Sequence, residues 1–233
     1  MCPTNSQQPK LHNKQSLILQ SGIVLLLTIL NTSPNGVLSL VRHIPKINIA
    51  IYYQTLCTDS RTFFYKQLMP AYTRMPDLMN VTLIPFGQTL VHENEGDVEF
   101  LCPHGPPECK GMLVHACAIN IVPRDLVLQY VFCMIMDNWN GLVIGEKCAK
   151  KLEIDWHSVL GCVNSNKSTM YLLHYKELTM SLNPPLTQVP RVVINGVDYP
   201  VGSTSTSLFE DLCKILEKYE PIECQWLEEN EEL

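Results

Sequence analysis

The chain has 233 residues, and its hydrophobic content of 46% is enough to bury a core, most simply as one domain with elaborations. The formal net charge of −6 and the scattered basic residues argue against binding to a phosphate backbone, so we expect no nucleic-acid partner. Ten cysteines in a chain of this size indicate an oxidising compartment rather than the cytosol.

The N-terminus is typical of a secretory signal peptide. Lys10 and Lys14 precede a mostly apolar stretch over residues 17–30. This stretch is too short for a membrane-spanning helix, which needs about 20 apolar residues, but it suits the apolar core of a signal peptide. We therefore assign residues 1–39 to a signal peptide and leader and residues 40–233 to one domain. An uncleaved signal anchor is the alternative; after signal removal we expect no association with a membrane.

Three Asn-X-Ser/Thr triplets support a secretory route. They begin at Asn31, Asn80 and Asn166, and the first lies close enough to the predicted cleavage region to be lost with the signal. We therefore predict a glycoprotein of the secretory pathway, with N-glycosylation at Asn80 and Asn166.

Beyond the leader, the chain predicts a strand, a helix and a second strand. Residues 46–54 form a β-branched and aromatic run that is typical of a buried strand, and residues 60–72 place apolar side chains at helical spacing. We expect Pro70 to kink or end that helix. Residues 79–87 predict the next strand. A strand–helix–strand unit of this kind requires the two strands to pair in parallel.

The second half of the chain predicts a helical insertion and then a return to the sheet. Residues 88–110 are loop-like and residues 117–176 carry several short helical patterns, so we place a disulfide-bonded helical insertion at about 88–180. The Asn195-Gly196 pair then predicts a hairpin turn between two strands. Residues 204–220 predict a final amphipathic helix. This order of elements indicates an α/β fold.

Cys57 stands where the first strand gives way to the first helix. Unpaired N–H groups at a helix N-terminus stabilise a thiolate and lower the pKa of the thiol, so Cys57 is the candidate nucleophile, with a structural cysteine as the alternative. Three residues later, where a redox motif carries its second cysteine, the chain has Ser60. Val189-Pro190 lies just before a predicted strand, where thioredoxin-like proteins keep a cis-proline that leaves the preceding backbone free to bind substrate. An ordinary trans-proline is the alternative.

The number of cysteines also singles out Cys57. Removal of the signal peptide takes Cys2 away and leaves an odd number, so one cysteine must stay unpaired or bond to another molecule. If Cys57 is that one, the others form four disulfides, for which many connectivities exist. We predict a Cys213–Cys224 bridge, because the final helix must be tied to the tail after it. The cysteines predicted to be bridged are Cys102, Cys109, Cys117, Cys133, Cys148, Cys162, Cys213 and Cys224.

The segment 102–117 is rich in potential metal ligands. Their spacing lacks the paired C-x-x-C knuckles of common structural zinc sites, and an oxidising compartment favours disulfides. We therefore predict no metal site, and we interpret His104 as a loop residue that packs near the active site. The ligands of the alternative zinc site are Cys102, His104, Cys109, His115 and Cys117.

The same segment, "CPHGPPECKGMLVHAC", carries a resemblance to a known family. The signature C-Q-H-G-x2-E-C-x2-N-x4-C is matched at Cys102, His104, Gly105, Glu108, Cys109 and Cys117. "YYQTLC", "NVTLIPFG" and "VPRVVINGV" also look like family segments in family order. From about residue 47 to residue 224 the chain thus resembles the gamma-interferon-inducible lysosomal thiol reductases. It departs from them at Pro103, at Met112 and at Ser60, which replaces the second active-site cysteine.

The resemblance implies a thioredoxin-like fold with a helical insertion, disulfide-bonded proteins as partners, and a secreted or lysosomal location. Family members reduce protein disulfides at acidic pH: one thiolate forms a mixed disulfide with the substrate and the second cysteine resolves it. Ser60 cannot perform that second step. We therefore expect a thiol oxidoreductase that acts through Cys57 alone, with no cofactor other than an external small-molecule thiol as reductant. The alternatives are a weakened or inactive family member that acts as a secreted binding protein, and an unrelated disulfide-rich secreted protein.

Overall fold

The computed structural model of the protein describes residues 31–32, 38–39, 43–94, 97–137, 139–202 and 206–225. Two short strands, β1 (Asn31–Thr32) and β2 (Leu38–Ser39), pair antiparallel. The rest of the predicted signal peptide and leader, including Cys2, lies outside the described residues. Within these ranges, no helix has both the length and the apolar character needed to cross a membrane.

A strand–helix–strand unit forms half of the central sheet, as the sequence predicts. β3 (Ile47–Tyr52) and β4 (Met79–Ile84) pair in parallel. Between them lie α1 (Thr58–Phe63), a π-helical segment (Phe64–Leu68), α2 (Met69–Arg74) and a 3-10 turn (Pro76–Leu78). The helix was predicted to kink or end at Pro70; it does not end there, and a π-helical segment directly precedes the turn that contains the proline. Pro70 occupies the first turn of α2, directly after the π-helical segment, where its missing N–H disrupts the helix least.

The region predicted to be a loop, residues 88–110, contains a hairpin and the start of a helix. β5 (Leu90–Asn94) and β6 (Asp97–Leu101) pair antiparallel, and α3 (Pro106–Ile121) begins soon after them. Val91 and Phe100 are cross-strand partners that pack on the core, whereas their neighbours are mostly exposed and many are charged. That weak alternation is why sequence analysis missed the hairpin.

The predicted helical insertion is present, but it begins at Pro106 rather than near residue 117. α3 contributes side chains both to the core of the insertion and to a layer of side chains beside β4. It therefore holds the insertion against the sheet. The helices that follow α3 are α4 (Arg124–Met136), α5 (Gly141–Lys151), α6 (Trp156–Val163) and α7 (Asn166–Met180).

The chain returns to the sheet through the predicted hairpin of β7 (Arg191–Ile194) and β8 (Val197–Tyr199). At its turn, Asn195 and Gly196 have φ of 49° and 84°, as a type I′ turn requires. The strand order is β4-β3-β7-β8, with β7 antiparallel to β3. Tyr52, the last residue of β3, is paired with Arg191, the first of β7. Residues just after Tyr52 and just before Arg191 therefore meet at one edge of the sheet.

The last helix, α8 (Leu208–Leu216), begins at a capping box in which Ser207 and Glu210 bond to each other's backbone N–H. Its apolar face packs on the main core together with α1, α2 and alternate residues of β3. Ile47, Ile49 and Ile51 supply that face of the strand, and all three are buried. The main core thus lies directly behind the end of β3 at which Cys57 follows.

Gly141→Ala should lower the free energy of unfolding by about 1–3 kcal/mol, because overpacking a close contact forces the backbone apart. A Cβ at Gly141 would lie 2.7 Å from Cα of Gly111, so α5 would have to move away from α3. Gly161→Ala in α6 is the matched control, since a Cβ there meets nothing within 4 Å. Urea unfolding with the disulfides intact measures both, and equal midpoints would contradict the close α3–α5 contact.

Candidate functional site

Cys57 occupies the turn that connects β3 to α1. It is the N-cap residue of α1, with extended backbone angles of φ −70° and ψ 125°. Its N–H donates to the Gln54 carbonyl at 3.4 Å, and its own carbonyl accepts from Arg61 N–H at 3.0 Å. The Cys57 side chain is completely buried. The local sequence thus folds as predicted, with the sulfur at the beginning of the helix.

Val189 approaches Cys57 from the segment that leads into β7. The Sγ atom of Cys57 lies 3.8 Å from the carbonyl oxygen of Val189, and the Val189–Pro190 peptide bond is cis. Leu186 packs with Cys57 and Val189 in a small apolar cluster. The structure therefore brings Cys57 together with Val189 and Pro190, which lie more than 130 positions later in the chain, as the sequence predicted.

Ser60 lies one turn into the helix and is also completely buried. Its Oγ accepts a hydrogen bond from the N–H of Gln54 at 3.4 Å. This bond ties the first turn of α1 to the residues that leave β3. Ser60 therefore has a structural role at the position where a two-cysteine reductase keeps its resolving thiol.

The expectation that Cys57 is free concerns the chain after removal of the signal peptide, and it stays a prediction. Cys57 is disulfide-bonded, and no free cysteine occurs among the described residues. Thiol chemistry at Cys57 therefore begins with reduction of this bond.

The other eight cysteines of the described chain form four bridges. These include the predicted Cys213–Cys224 bridge, which ties α8 to the segment after it. Because Cys102, Cys109 and Cys117 are all bridged, the ligand set of the alternative zinc site is not available. The described residues contain no group of three or more metal-ligating side chains. The remaining bridges are Cys102–Cys109, Cys117–Cys162 and Cys133–Cys148.

Glu108 of α3 connects the signature segment to the Cys57 turn. Its carboxylate is completely buried and accepts hydrogen bonds from the N–H of Leu56 at 3.2 Å and from the N–H of His104 at 3.0 Å. The Nδ1 atom of His104 lies 2.8 Å from the same carboxylate. The carbonyl of Glu108 accepts from Thr55 Oγ1 at 3.3 Å. His104 therefore packs beside the active-site turn through Glu108.

Tyr53 and His115 form a second buried polar contact behind the turn. The Tyr53 hydroxyl lies 2.9 Å from Nδ1 of His115, and both side chains are completely buried. Burial lowers the pKa of His115 from 6.5 to about 3 and raises the pKa of Tyr53 well above its usual value. His115 is therefore a core residue that is neutral at neutral pH.

The two predicted glycosylation sites differ in their surroundings. Asn166 is exposed at the first residue of α7. Asn80 is half-buried in β4, where its amide nitrogen donates to Asn48 Oδ1 at 2.7 Å. Glycosylation therefore stays a prediction at both sites, with Asn166 the more accessible of the two.

Sequence analysis missed the roles of Glu108, Tyr53 and His115. Glu108 was identified only as a signature residue, and its burial became visible only in the structure. The one usable signal was that a glutamate lies between a cysteine and two prolines at a predicted turn. Tyr53 and His115 gave no local signal, because they lie 62 positions apart in the chain.

The fold is thioredoxin-like, as predicted. DsbA of Chlamydia trachomatis superposes with a TM-score of 0.54 at 13% identity, covering 76% of this chain and 90% of that one. The disulfide bond oxidoreductase DsbG of Mycobacterium tuberculosis superposes with a TM-score of 0.53 at 15% identity, covering 83% of this chain and 85% of that one. At such low identity these likenesses establish the fold alone.

Relatives with higher identity define the family. The family model described as gamma interferon inducible lysosomal thiol reductase (GILT) matches residues 48–152. A gamma-interferon-inducible lysosomal thiol reductase-like protein of Anopheles gambiae is 34% identical over 77% of this chain and 80% of its own length. The gamma-interferon-inducible lysosomal thiol reductase of Carassius auratus is 30% identical over 76% of this chain and 72% of its own length. The chain therefore belongs to the GILT family of thiol reductases.

Proposed function

We propose that the protein is a thiol oxidoreductase that reduces protein disulfides through Cys57 alone, with an external small thiol completing the cycle. The observation that carries the proposal is the position of Cys57 at the start of α1, opposite the Val189 carbonyl and three residues before Ser60. A helix N-terminus favours the thiolate, and only the thiolate attacks a disulfide. Membership of a thiol reductase family supports the same chemistry.

The proposed cycle needs two molecules of small thiol. The reduced Cys57 thiolate attacks one sulfur of a substrate disulfide, so a bond from Cys57 to the substrate forms and the second substrate sulfur leaves as a thiolate. A small thiol then attacks Sγ of Cys57, which releases the substrate fully reduced and leaves the small thiol bonded to Cys57. A second small thiol removes the first as a symmetrical disulfide. The two thiols thus supply the two electrons, and no bound cofactor takes part.

Trapping the mixed disulfide tests this cycle. Protein in which the Cys57 disulfide has been selectively reduced with limiting phosphine is mixed with a disulfide-bonded protein such as insulin, and adducts are mapped by mass spectrometry. We expect an adduct at Cys57 that decays at a rate proportional to the concentration of added cysteine or glutathione. Cys57→Ser should form none. An adduct at any other cysteine, or turnover by Cys57→Ser, would rule out the proposal.

A second candidate function is binding without turnover. One observation favours it: Cys57 is completely buried and is already disulfide-bonded in this structure. In that case the trapped adduct would persist when small thiol is added in excess. The decay measurement therefore separates the two functions.

We also propose that the protein acts in the secretory or endocytic route, as a secreted or lysosomal glycoprotein. The four bridges among the described residues support an oxidising compartment, and the names of the Carassius auratus and Mus musculus relatives include the word lysosomal. Peptide mapping before and after glycosidase treatment tests the sites. We expect a glycan at Asn166 and at Asn80, and an unmodified Asn166 in protein secreted by eukaryotic cells would contradict the assignment.

A further inference from the structure

We propose that Glu108 is a positioning residue for Cys57: its buried carboxylate holds the Thr55–Leu56–Cys57 turn in the geometry that thiol–disulfide exchange requires. The importance of this geometry rests on the proposed function of Cys57, whereas the contact itself does not. Glu108 touches the residues next to Cys57 rather than any reacting sulfur.

The burial of Glu108 shows that its hydrogen bonds are needed. The carboxylate is completely buried, and an ionised group away from water is tolerated only when it is paired and hydrogen-bonded. Its partners are the N–H of Leu56, the N–H of His104 and the ring of His104. One partner belongs to the Cys57 turn and the others to the signature loop. The carboxylate therefore fixes these two segments to each other.

Two features make the anchor of the turn rigid. The Cys102–Cys109 disulfide closes the loop that carries both His104 and Glu108. Glu108 also holds the turn twice, since its side chain binds Leu56 and its main-chain carbonyl accepts from Thr55 Oγ1. Because Leu56 is joined to Cys57 by a peptide bond, fixing its N–H limits where the sulfur can lie relative to the Val189 carbonyl. Small displacements of reacting groups are costly in rate.

The charge of Glu108 gives the role a distinct signature. A carboxylate that accepts a hydrogen bond from the residue next to Cys57 disfavours the Cys57 thiolate, and the ring of His104 lies 2.8 Å from the same carboxylate. Charged groups on the described elements that adjoin the turn include Asp59 and Arg61 on α1 and the Arg191–Asp198 ion pair of β7 and β8. None of these is altered by a change at Glu108. Removal of the Glu108 charge should therefore shift the pH dependence of Cys57 reactivity to lower pH.

Glu108→Gln and Glu108→Ala together test the proposal. The rate at which reduced Cys57 attacks an aromatic disulfide, dithiobis(nitrobenzoate), is measured from pH 4 to pH 9 with the chain otherwise intact. Glu108→Gln keeps an oxygen that can accept from Leu56 N–H, so we expect its rate at high pH to be close to that of the unaltered protein. The midpoint of its pH–rate profile should lie at lower pH. In Glu108→Ala the rate at high pH should be about tenfold lower. Glu99→Gln, at an exposed position of β6, is the matched control and should change neither quantity.

Hydrogen–deuterium exchange at the Leu56 amide gives a readout that does not depend on reactivity. We expect it to be faster in Glu108→Ala and nearly unchanged in Glu108→Gln. A purely structural role would lower thermal stability without moving the pH midpoint or the rate of the folded protein, and that result would overturn the proposal, as would unchanged exchange at Leu56. An inert Cys57 in the unaltered protein would instead refute the proposed function, while the exchange measurement would still decide whether Glu108 holds the turn.

Discussion

Ser60→Cys should release reduced substrate from Cys57 without any added thiol, at least about a hundredfold faster than the unaltered protein, because an intramolecular reaction replaces a bimolecular one. Position 60 lies in the first turn of α1, three residues after Cys57, the proposed nucleophile. A thiol there attacks Sγ of Cys57, forms an intramolecular disulfide with it and frees the substrate sulfur. A pre-formed mixed disulfide, followed by stopped-flow or quenched mass spectrometry, measures this single step directly.

The design of this experiment follows from electron counting. Ser60→Cys still needs an external reductant for a second turnover, because its own disulfide must be reduced again. The rate of the release step therefore distinguishes Ser60→Cys from the unaltered protein, whereas the steady-state rate with excess reductant does not. Ser60→Ala is the control: it loses the bond from Gln54 N–H but gains no thiol, so we expect no acceleration of release. Release by Ser60→Cys at the rate of the unaltered protein would mean that position 60 does not face the mixed disulfide.

The second large effect that we expect is a loss of stability in acid caused by His115. Its pKa is about 3 in the folded protein and 6.5 when unperturbed, because burial disfavours the imidazolium. Between these two pKa values the unfolded chain binds one more proton than the folded chain. The free energy of unfolding is therefore unaffected by His115 above pH 6.5 and decreases as the pH falls towards 3. One histidine of this kind lowers the free energy of unfolding by about 2 kcal/mol between about pH 7 and pH 5.

His115→Gln should reduce that pH dependence, whatever its effect on stability at pH 7. Substitution also removes a partner of Tyr53, and an unsatisfied buried group costs about 1–3 kcal/mol, so the slope against pH is the informative quantity rather than the absolute value. Urea unfolding at pH 7 and pH 5 with the disulfides intact gives both the free energy of unfolding and its slope against pH. His174→Gln, at an exposed histidine on α7, is the control and should keep the original slope. Equal slopes in all three proteins would show that folding does not lower the pKa of His115.

Folding is weakened by His115 as the pH falls, so other interactions have to stabilise the fold in acid. The bridges Cys117–Cys162 and Cys133–Cys148 close loops within the insertion that also contains His115. Crosslinks of this kind stabilise a fold by restricting the unfolded chain, which does not depend on protonation. We therefore expect the acid stability of the protein to depend on its disulfides.

The sequence by itself determined the elements whose signals are local. The apolar run of β3, the Asn195-Gly196 turn and the amphipathic helix α8 depend on residues that are near one another in the chain, and all three formed as predicted. The same holds for Cys57, since a strand that ends in a turn and then a helix places a cysteine at the helix N-terminus wherever the rest of the chain lies. The hairpin of β5 and β6 was missed, because its charged and exposed residues give little alternation.

Beyond the predicted proximity of Cys57 to Val189 and Pro190, only the tertiary structure decided which distant groups meet at the site. No local pattern shows that Glu108 is buried, that its carboxylate binds the N–H of Leu56 52 positions earlier, or that the ring of His115 lies against Tyr53. The pairing of the bridged cysteines and the oxidised state of Cys57 are likewise properties of the folded chain. The physical reason is the same in each case: burial and hydrogen-bond partnership depend on the packing of elements far apart in sequence, whereas strand, turn and helix signals depend on neighbouring residues.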